Sequence, residues 1–371
     1  VTDLFVAGAL SLPNVRDAVL GHPLTPEQTS AAVLADHQLI LADPAAHPAL
    51  LPQVGAAVDG VLLRGLSDED LAAIYYYQRS FSRHPVQITV RAATAMVAAL
   101  TYVCPPQQDA PPVTLQDWAQ GWEDVAARMA AEIMAFHGRK PAAEIPKSLP
   151  SMRRRATSWR AARARPGDAN WDLSRDVVVK AHRREYMNFF ALEEMDLQHR
   201  KFDGSMSEVM NRGAILVGEA AVLLPYDIKR DAVLLIEQFR APAFLAGDRD
   251  PWIWEPPAGL IDPGETPQQA ARREAMEEAG LEVGHMELCG SLYPSSGSSG
   301  EYVHIFCGLA VFSSIEGGGG LPGEGEDIRS KVISFHELMA GVDDCTFRDM
   351  PLVTAALWLA RHRDRLRAEF G

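Results

Sequence analysis

Residues 255–281 read EPPAGLIDPGETPQQAARREAMEEAGL. Gly259 and Gly264 permit turns that other residues resist. Pro267 stands where a helix can begin and Gly280 where one can end. The segment predicts a helix over 266–279 that carries Arg273, Glu274, Glu277 and Glu278. At about 100° per residue, Glu277 and Glu278 fall about 60° and 40° to either side of Glu274. Three carboxylates then share one face, and Glu274 with Glu278 forms a like-charge i,i+4 pair that weakens a bare helix. A cation normally offsets such repulsion, and hard oxygen ligands in this number suit Mg2+ or Mn2+ rather than zinc. For an E-x-x-E-E fragment taken alone, an acidic face turned to solvent is the plain alternative.

Outward from this stretch, strand patterns at 177–181, 218–224 and 232–239 alternate with helical ones at 335–340 and 350–367, which predicts a layered α+β domain over 176–371. The loop 316–327, EGGGGLPGEGED, is rich in glycine and carries Glu324, Glu326 and Asp327. In isolation it reads as a flexible linker. Ahead of 176 the texture changes. Residues 1–113 read as short strands (4–6, 38–41, 60–63, 86–90) broken by Pro and Gly, with a helix over 68–77 behind Ser67. PPQQDAPPV at 105–113 reads as a linker. A helix follows Thr114, with Trp118, Trp122, Val125, Met129, Ile133 and Phe136 in one apolar stripe. Residues 139–175 hold Arg153, Arg154, Arg155, Arg160, Arg163 and Arg165, so 114–175 is expected to be a helical and basic linker, largely solvated.

A chain of 371 residues accommodates two domains. Its net charge of −14 argues against a general nucleic-acid or membrane binder. Lacking an apolar run of about 18 residues, the sequence predicts no membrane span. Cys104, Cys289, Cys307 and Cys345 lie far apart, as reduced thiols do. VTDLFVAGALSL at the start lacks the basic opening of a secretory leader, so a cytoplasmic protein is expected.

Gly259, Glu265, Arg273-Glu274, Glu277-Glu278 and Gly280-Leu281 stand at spacings that resemble the Nudix hydrolase signature at every fixed position. Residues 177–371 further resemble its ADP-ribose pyrophosphatase subfamily, through YMNFFALEEMDLQHRKFDGSMSEVMNRG and LLIEQFR before the box, and SLYPSSGSSGEYVHIFCG and GEGEDIRSKVISFHEL after it. The resemblance implies a Nudix α/β/α sandwich. It also implies hydrolysis of the diphosphate bond of ADP-ribose to AMP and ribose 5-phosphate, with Mg2+ or Mn2+ held by Glu274, Glu277, Glu278, Glu326 and the Ala258 carbonyl. Glu277, Arg273 and Glu324 form the implied catalytic set, with Glu324 as general base and Glu326 as the alternative. Phe189 against adenine, Arg212 and Arg240 on phosphates, and Glu265 bracing the loop form the implied substrate-binding set. Phe189 and Phe190 are consecutive, so on a strand one would face the core and the other a base. The segment 183–215 is expected to cross to a second subunit in a homodimer. Another nucleoside diphosphate derivative (nucleotide sugar, NADH, diadenosine polyphosphate) or a nucleotide-sensing binding module remain as rival readings.

Residues 3–104 resemble a gamma-glutamylcyclotransferase-like domain, a small β-barrel with helices; the cues are DLFVAGAL, VDGVLLRGLSDEDLAAIYYYQ and Ser82-Arg83. Two departures stand out. Ala7-Gly8-Ala9-Leu10 replaces the family's Tyr-Gly-Ser/Thr-Leu loop, and Gln78 replaces its catalytic glutamate. Glutamine cannot accept a proton as a general base at neutral pH. This half is therefore expected to be inactive in that reaction.

Overall fold

The computed structural model describes residues 3–41, 47–105, 110–312, 318–319 and 327–371. The chain divides into two compact units, 1–213 and 214–371. The boundary expected at 176 is thus not where the units part.

The first unit contains β1 (Leu4–Val6), α1 (Pro13–Leu20), β2 (Thr29–Ile40), β3 (Ala49–Leu63), α2 (Asp68–Arg79), β4 (His84–Ala92) and β5 (Ala95–Val103). Then come α3 (Leu115–Met134), α4 (Leu149–Ala164), α5 (Leu173–Asp176), β6 (Val177–Met187) and β7 (Ala191–His199), and β8 (Met210–Leu216) runs across the boundary at 213. The first five strands close into a barrel in the order β1-β3-β2-β4-β5, sealed by the parallel pairing of Leu4 with Leu100. Phe5, Leu34, Leu39, Leu62 and Val90 fill its interior. Gly60 is required there, because a Cβ would stand 2.5 Å from the Phe5 ring.

Outside the barrel, α1 to α4 share a second core containing Tyr77, Trp118, Met129, Ile133 and Met152. Two linker expectations are corrected here. In the proline-rich run, Pro111 O accepts from Leu41 N and Val113 N donates to Leu39 O, so its described end lies bonded along β2. The basic segment is no solvated connector either. It forms α4, whose Arg155 is only 5 % exposed and donates through Nε to the buried Glu132 on α3 at 3.0 Å.

The second unit contains β9 (Glu219–Asp227), β10 (Ala232–Phe239), α6 (Ala241–Leu245), β11 (Trp252–Glu255), β12 (Ala258–Leu260), α7 (Pro267–Ala279) and β13 (Met286–Leu292). It continues with β14 (Tyr302–Leu309), β15 (Gly318–Gly319), β16 (Ile328–Ser334), α8 (Phe335–Asp343) and α9 (Met350–Phe370). An eight-stranded mixed sheet runs β13-β14-β9-β10-β16-β15, with β11 paired to β10 and β12 to β9. Helices cover both of its faces, so β9 and β10 are buried almost end to end and read as continuous apolar runs. On one face Leu352, Ala355, Ala356 and Leu359 of α9 join Val222, Leu224 and Val233. On the other, Ala270, Ala271 and Ala275 of α7 meet Ala221, Leu223 and Phe306; alanines let the helix lie close to the sheet. Among the described residues no helix is long and apolar enough to cross a membrane.

Candidate active site

Local chemistry fixes α7. Thr266 Oγ accepts from Gln269 N while the Gln269 side chain accepts from Thr266 N, and Pro267 opens the first turn. Gly280 ends the helix at φ 61°, in the left-handed region, and Leu281 N donates to Ala275 O at 3.1 Å.

Next to the helix, β12 is pinned on β9 by Ala258↔Val222 and Gly259↔Ala221. Glu274 and Glu278 both reach this short strand. An ideal Cβ on Gly259 would stand 2.1 Å from Glu274 Oε1, so only glycine leaves that carboxylate its place. Glu278, 2 % exposed, accepts from Ala258 N through Oε2 at 2.8 Å, and Gln238 Nε2 lies 3.5 Å from its Oε1. Gly259→Ala should therefore destabilise the chain by about 1–3 kcal/mol, the usual cost of overpacking. Chemical denaturation measures it; an unchanged midpoint would show that Glu274 can leave Gly259 freely.

Arg273 binds the acids together. Its Nε and Nη2 donate to the two oxygens of Glu265 at 2.9 and 3.0 Å, Nη1 to Glu274 at 2.5 Å and to Glu277 at 3.0 Å, and Nη2 to Leu260 O at 3.1 Å. Hydrogen bonding to Arg273 holds the Glu265 carboxyl below its ordinary range, and the same pairing pushes Arg273 up. Glu265 Oε2 also accepts from Asp262 N, which closes the loop around Gly264. One guanidinium thus offsets three carboxylates and shapes the loop. Among the described residues, no three Asp, Glu, His or Cys side chains stand together as a ready metal cage. The acids face Arg273 and the 258–259 backbone instead. Their hard oxygens and their convergence on that backbone still fit a divalent cation.

Arg240, just past β10, does not stand free for phosphate. It forks onto Glu255, with Nε to Oε2 at 3.1 Å and Nη2 to Oε1 at 2.5 Å. Burial pushes Glu255 up against the opposing pull of Arg240. Burial also raises Glu301 and Asp349, both within reach of the Arg240 charge. Reading the sequence missed these three acids. Glu255 opens the decisive stretch, but its partnership with Arg240 depends on the β10–β11 register, in which Glu255 faces Ile236.

Two expected substrate residues belong to the first unit. Phe189 and Phe190 lie in the bend between β6 and β7 rather than on a strand, and neither is in the core. They are 50 % and 38 % exposed and meet edge to face at 4.9 Å. Arg212 is exposed on β8, with Nη1 on Asn211 O. Glu324 and Glu326 lie outside the described residues.

A carboxylate-bearing helix, its arginine clasp and the flanking glycine turns, set on a mixed sheet between helices, define a Nudix pyrophosphohydrolase. Comparison with known proteins gives the same class. The NUDIX domain model matches residues 217–349, and the model for gamma-glutamyl cyclotransferase, AIG2-like, matches 4–120. An ADP-ribose pyrophosphatase of Escherichia coli (strain K12) is 38% identical over 196 residues, 53% of this chain and 93% of that protein. One from Haemophilus influenzae is 35% identical over 160 residues, covering 43% and 74%. A GDP-mannose pyrophosphatase of Klebsiella pneumoniae is 32% identical over 169 residues, covering 44% and 80%. The chain belongs to the Nudix family, ADP-ribose pyrophosphatase-like in that domain, with an AIG2-like gamma-glutamyl cyclotransferase domain ahead of it.

Proposed function

We propose that the protein hydrolyses the diphosphate bond of ADP-ribose, adding one water to give AMP and ribose 5-phosphate. The observation that carries this reading is the convergence of Glu274 and Glu278 on Ala258–Gly259 with Arg273 clasping the third acid, Glu277. Glu274, Glu277, Glu278, Glu326 and the Ala258 carbonyl would hold Mg2+, or Mn2+ in its place. Bound there, the ion supplies charge neutralisation for the diphosphate and a lowered pKa for the attacking water. Arg273 and Glu265 keep the loop and helix in register. Glu324 accepts the water's proton. Arg240 shares its fork between Glu255 and a phosphate, and Arg212 and Phe189 bind phosphate and adenine.

The similarity to a GDP-mannose pyrophosphatase favours one second reading, in which the substrate is another nucleotide sugar. ADP-ribose, GDP-mannose, NADH and a diadenosine polyphosphate should be offered with Mg2+ and the half-products identified. ADP-ribose is expected to show the highest kcat/KM; a higher value for GDP-mannose would overturn the substrate assignment. We also propose a homodimer. Val178, Val179, Tyr186, Leu192, Met206 and Val209 all expose apolar surface on and around the β6–β8 sheet. Sedimentation of the active species should show two chains, and a fully active monomer would contradict it.

The fold ties the Phe189 bend to the helices ahead of it. Arg155 Nη1 donates to Phe189 O at 2.9 Å, and Lys140 Nζ to Met187 O at 3.2 Å. Removing Arg155 leaves Glu132 buried without its partner, a loss of about 3–5 kcal/mol. Arg155→Met with Glu132→Leu should restore stability while leaving the bend without its Arg155 tie and held by Lys140. The double variant is expected to raise KM for ADP-ribose about tenfold with kcat nearly unchanged, within the range of lost base stacking. An unaltered KM would remove Phe189 from the adenine role or show that its bend needs no anchor.

A further inference from the structure

Three polar side chains on the sheet of the second unit form a directed chain, and none of them is assigned to diphosphate hydrolysis. Ser291 Oγ lies 2.9 Å from His304 Nδ1, and His304 Nε2 lies 3.1 Å from Glu219 Oε2. The side chains of His304 and Glu219 are 16 % and 12 % exposed, so water competes little for these bonds. The carboxylate sets the direction. An ionised carboxylate can only accept, so Nε2 carries the imidazole proton and Nδ1 is left to accept from the Ser291 hydroxyl.

Strand register brings the three together. β14 runs parallel to β9 with Tyr302 beside Glu219 and His304 beside Ala221, so His304 and Glu219 share one face of the sheet. Ala221 and Phe306 mark it as the face that α7 covers. Ser291 reaches this face through a bulge. Leu288 pairs with Phe306 and Gly290 with Ile305, which leaves Cys289 as an extra residue in β13. Without it Ser291 would oppose Val303 and point to the other face. With it Ser291 stands directly opposite His304. Bulges that re-aim a side chain in this way are frequent beside active sites. Two rings border the chain: Tyr302 meets His304 edge-on at 5.3 Å, and the half-exposed Tyr293 meets Tyr302 at 4.8 Å.

We propose that Ser291 is an activated nucleophile, with His304 as its general base and Glu219 as the residue that positions the imidazole, and that this second site cleaves small carboxylic esters. A hydroxyl bonded to a base that a third group orients is the arrangement serine-type acyl transfer requires, here with the two imidazole nitrogens exchanged. Ser291 Oγ attacks the ester carbonyl carbon while its proton passes to His304 Nδ1. The imidazolium so formed faces the Glu219 carboxylate. The bond to the alcohol oxygen then breaks, and His304 returns the proton to that oxygen. Water attacks the acyl-serine by the same route, releasing the acid and restoring Ser291. β13 ends the sheet among the described strands, so alternate N–H groups along it turn away from β14 and can meet the developing oxyanion. Tyr293 and Tyr302 offer an apolar wall to a short acyl or aryl group. The proposal is independent of the Nudix reaction.

The test uses p-nitrophenyl acetate on the full chain in excess EDTA, which silences any divalent-ion chemistry. A fluorophosphonate, which a reactive serine attacks with loss of fluoride, is the second probe, and the modified peptide is mapped by mass. Catalytic release of p-nitrophenol and a label on Ser291 are expected. Ser291→Ala removes one hydroxyl and should abolish both while the unfolding temperature stays close to that of wild type. His304→Gln should slow labelling by about 10²–10⁴, the usual contribution of a general base. Glu219→Gln should slow labelling as well, and Glu219→Asp should recover part of the rate, which a merely structural role would not do. A chain of bonds that only braces the sheet would leave the hydroxyl unreactive. No label on Ser291 in the wild type, ester hydrolysis by Ser291→Ala at the wild-type rate, or a folded His304→Gln chain labelled as fast as wild type would each overturn the proposal.

Discussion

Glu277→Gln is expected to lower kcat for ADP-ribose hydrolysis by about 10³, since a carboxylate that serves a catalytic ion supplies several kcal/mol to the transition state. The substitution isolates charge from shape. Arg273 Nη1 donates to Glu277 Oε2 at 3.0 Å, and a glutamine oxygen can accept that same bond. Glu277 is also partly exposed, at 30 % for its side chain, so the helix loses no core contact. Stability should move by no more than about 0.5 kcal/mol. The loss should appear in kcat and in the Mg2+ concentration needed for half-maximal rate. A rate within threefold of wild type at saturating Mg2+ would make Glu277 part of the arginine clasp alone.

Glu324→Gln should reduce turnover by about 10²–10⁴, the usual contribution of a general base, with little change in substrate binding. The reasoning is one of proton accounting. Water attacking phosphorus must shed a proton, and the acids of α7 are the ones proposed to hold the ion, with Arg273 bonded to Glu274 and Glu277. Glu324, in the glycine-rich stretch 316–327, is the acid proposed to take that proton. Glu326→Gln, by contrast, should raise the Mg2+ requirement more than it lowers the maximal rate. If the two variants exchange these behaviours, Glu326 is the base.

How much of this was legible beforehand depends on the range of the interactions. The helix over 267–279 could be read because its start, its end and its acidic face are set by neighbours within a few residues. β10 could be read because a strand buried on both faces is apolar at nearly every position. α4 could not, because its arginines suggest water until Glu132, 23 residues away in the chain, takes Arg155 into the interior. The Phe189–Phe190 pair reads as strand for the same reason: the bend there is bonded by Arg155, 34 residues away in the chain, and nothing local announces it. The pairing of Arg240 with Glu255 needs the β10–β11 register. The unit boundary moved from 176 to 213 because β6 and β7 group by contact with the helices before them. Arg128, which donates to Glu193 at 3.0 Å, is one of the tethers.

A crystal of the protein with Mg2+ and a nonhydrolysable ADP-ribose analogue puts the account to its most direct test. The expected result is density for metal among the carboxylates of Glu274, Glu277 and Glu278 and the Ala258 carbonyl, with the bridging phosphates on its open side and Arg273 still clasping Glu265. Carboxylates that keep to Arg273 and the Ala258 N–H, with analogue and ion bound elsewhere, would contradict it.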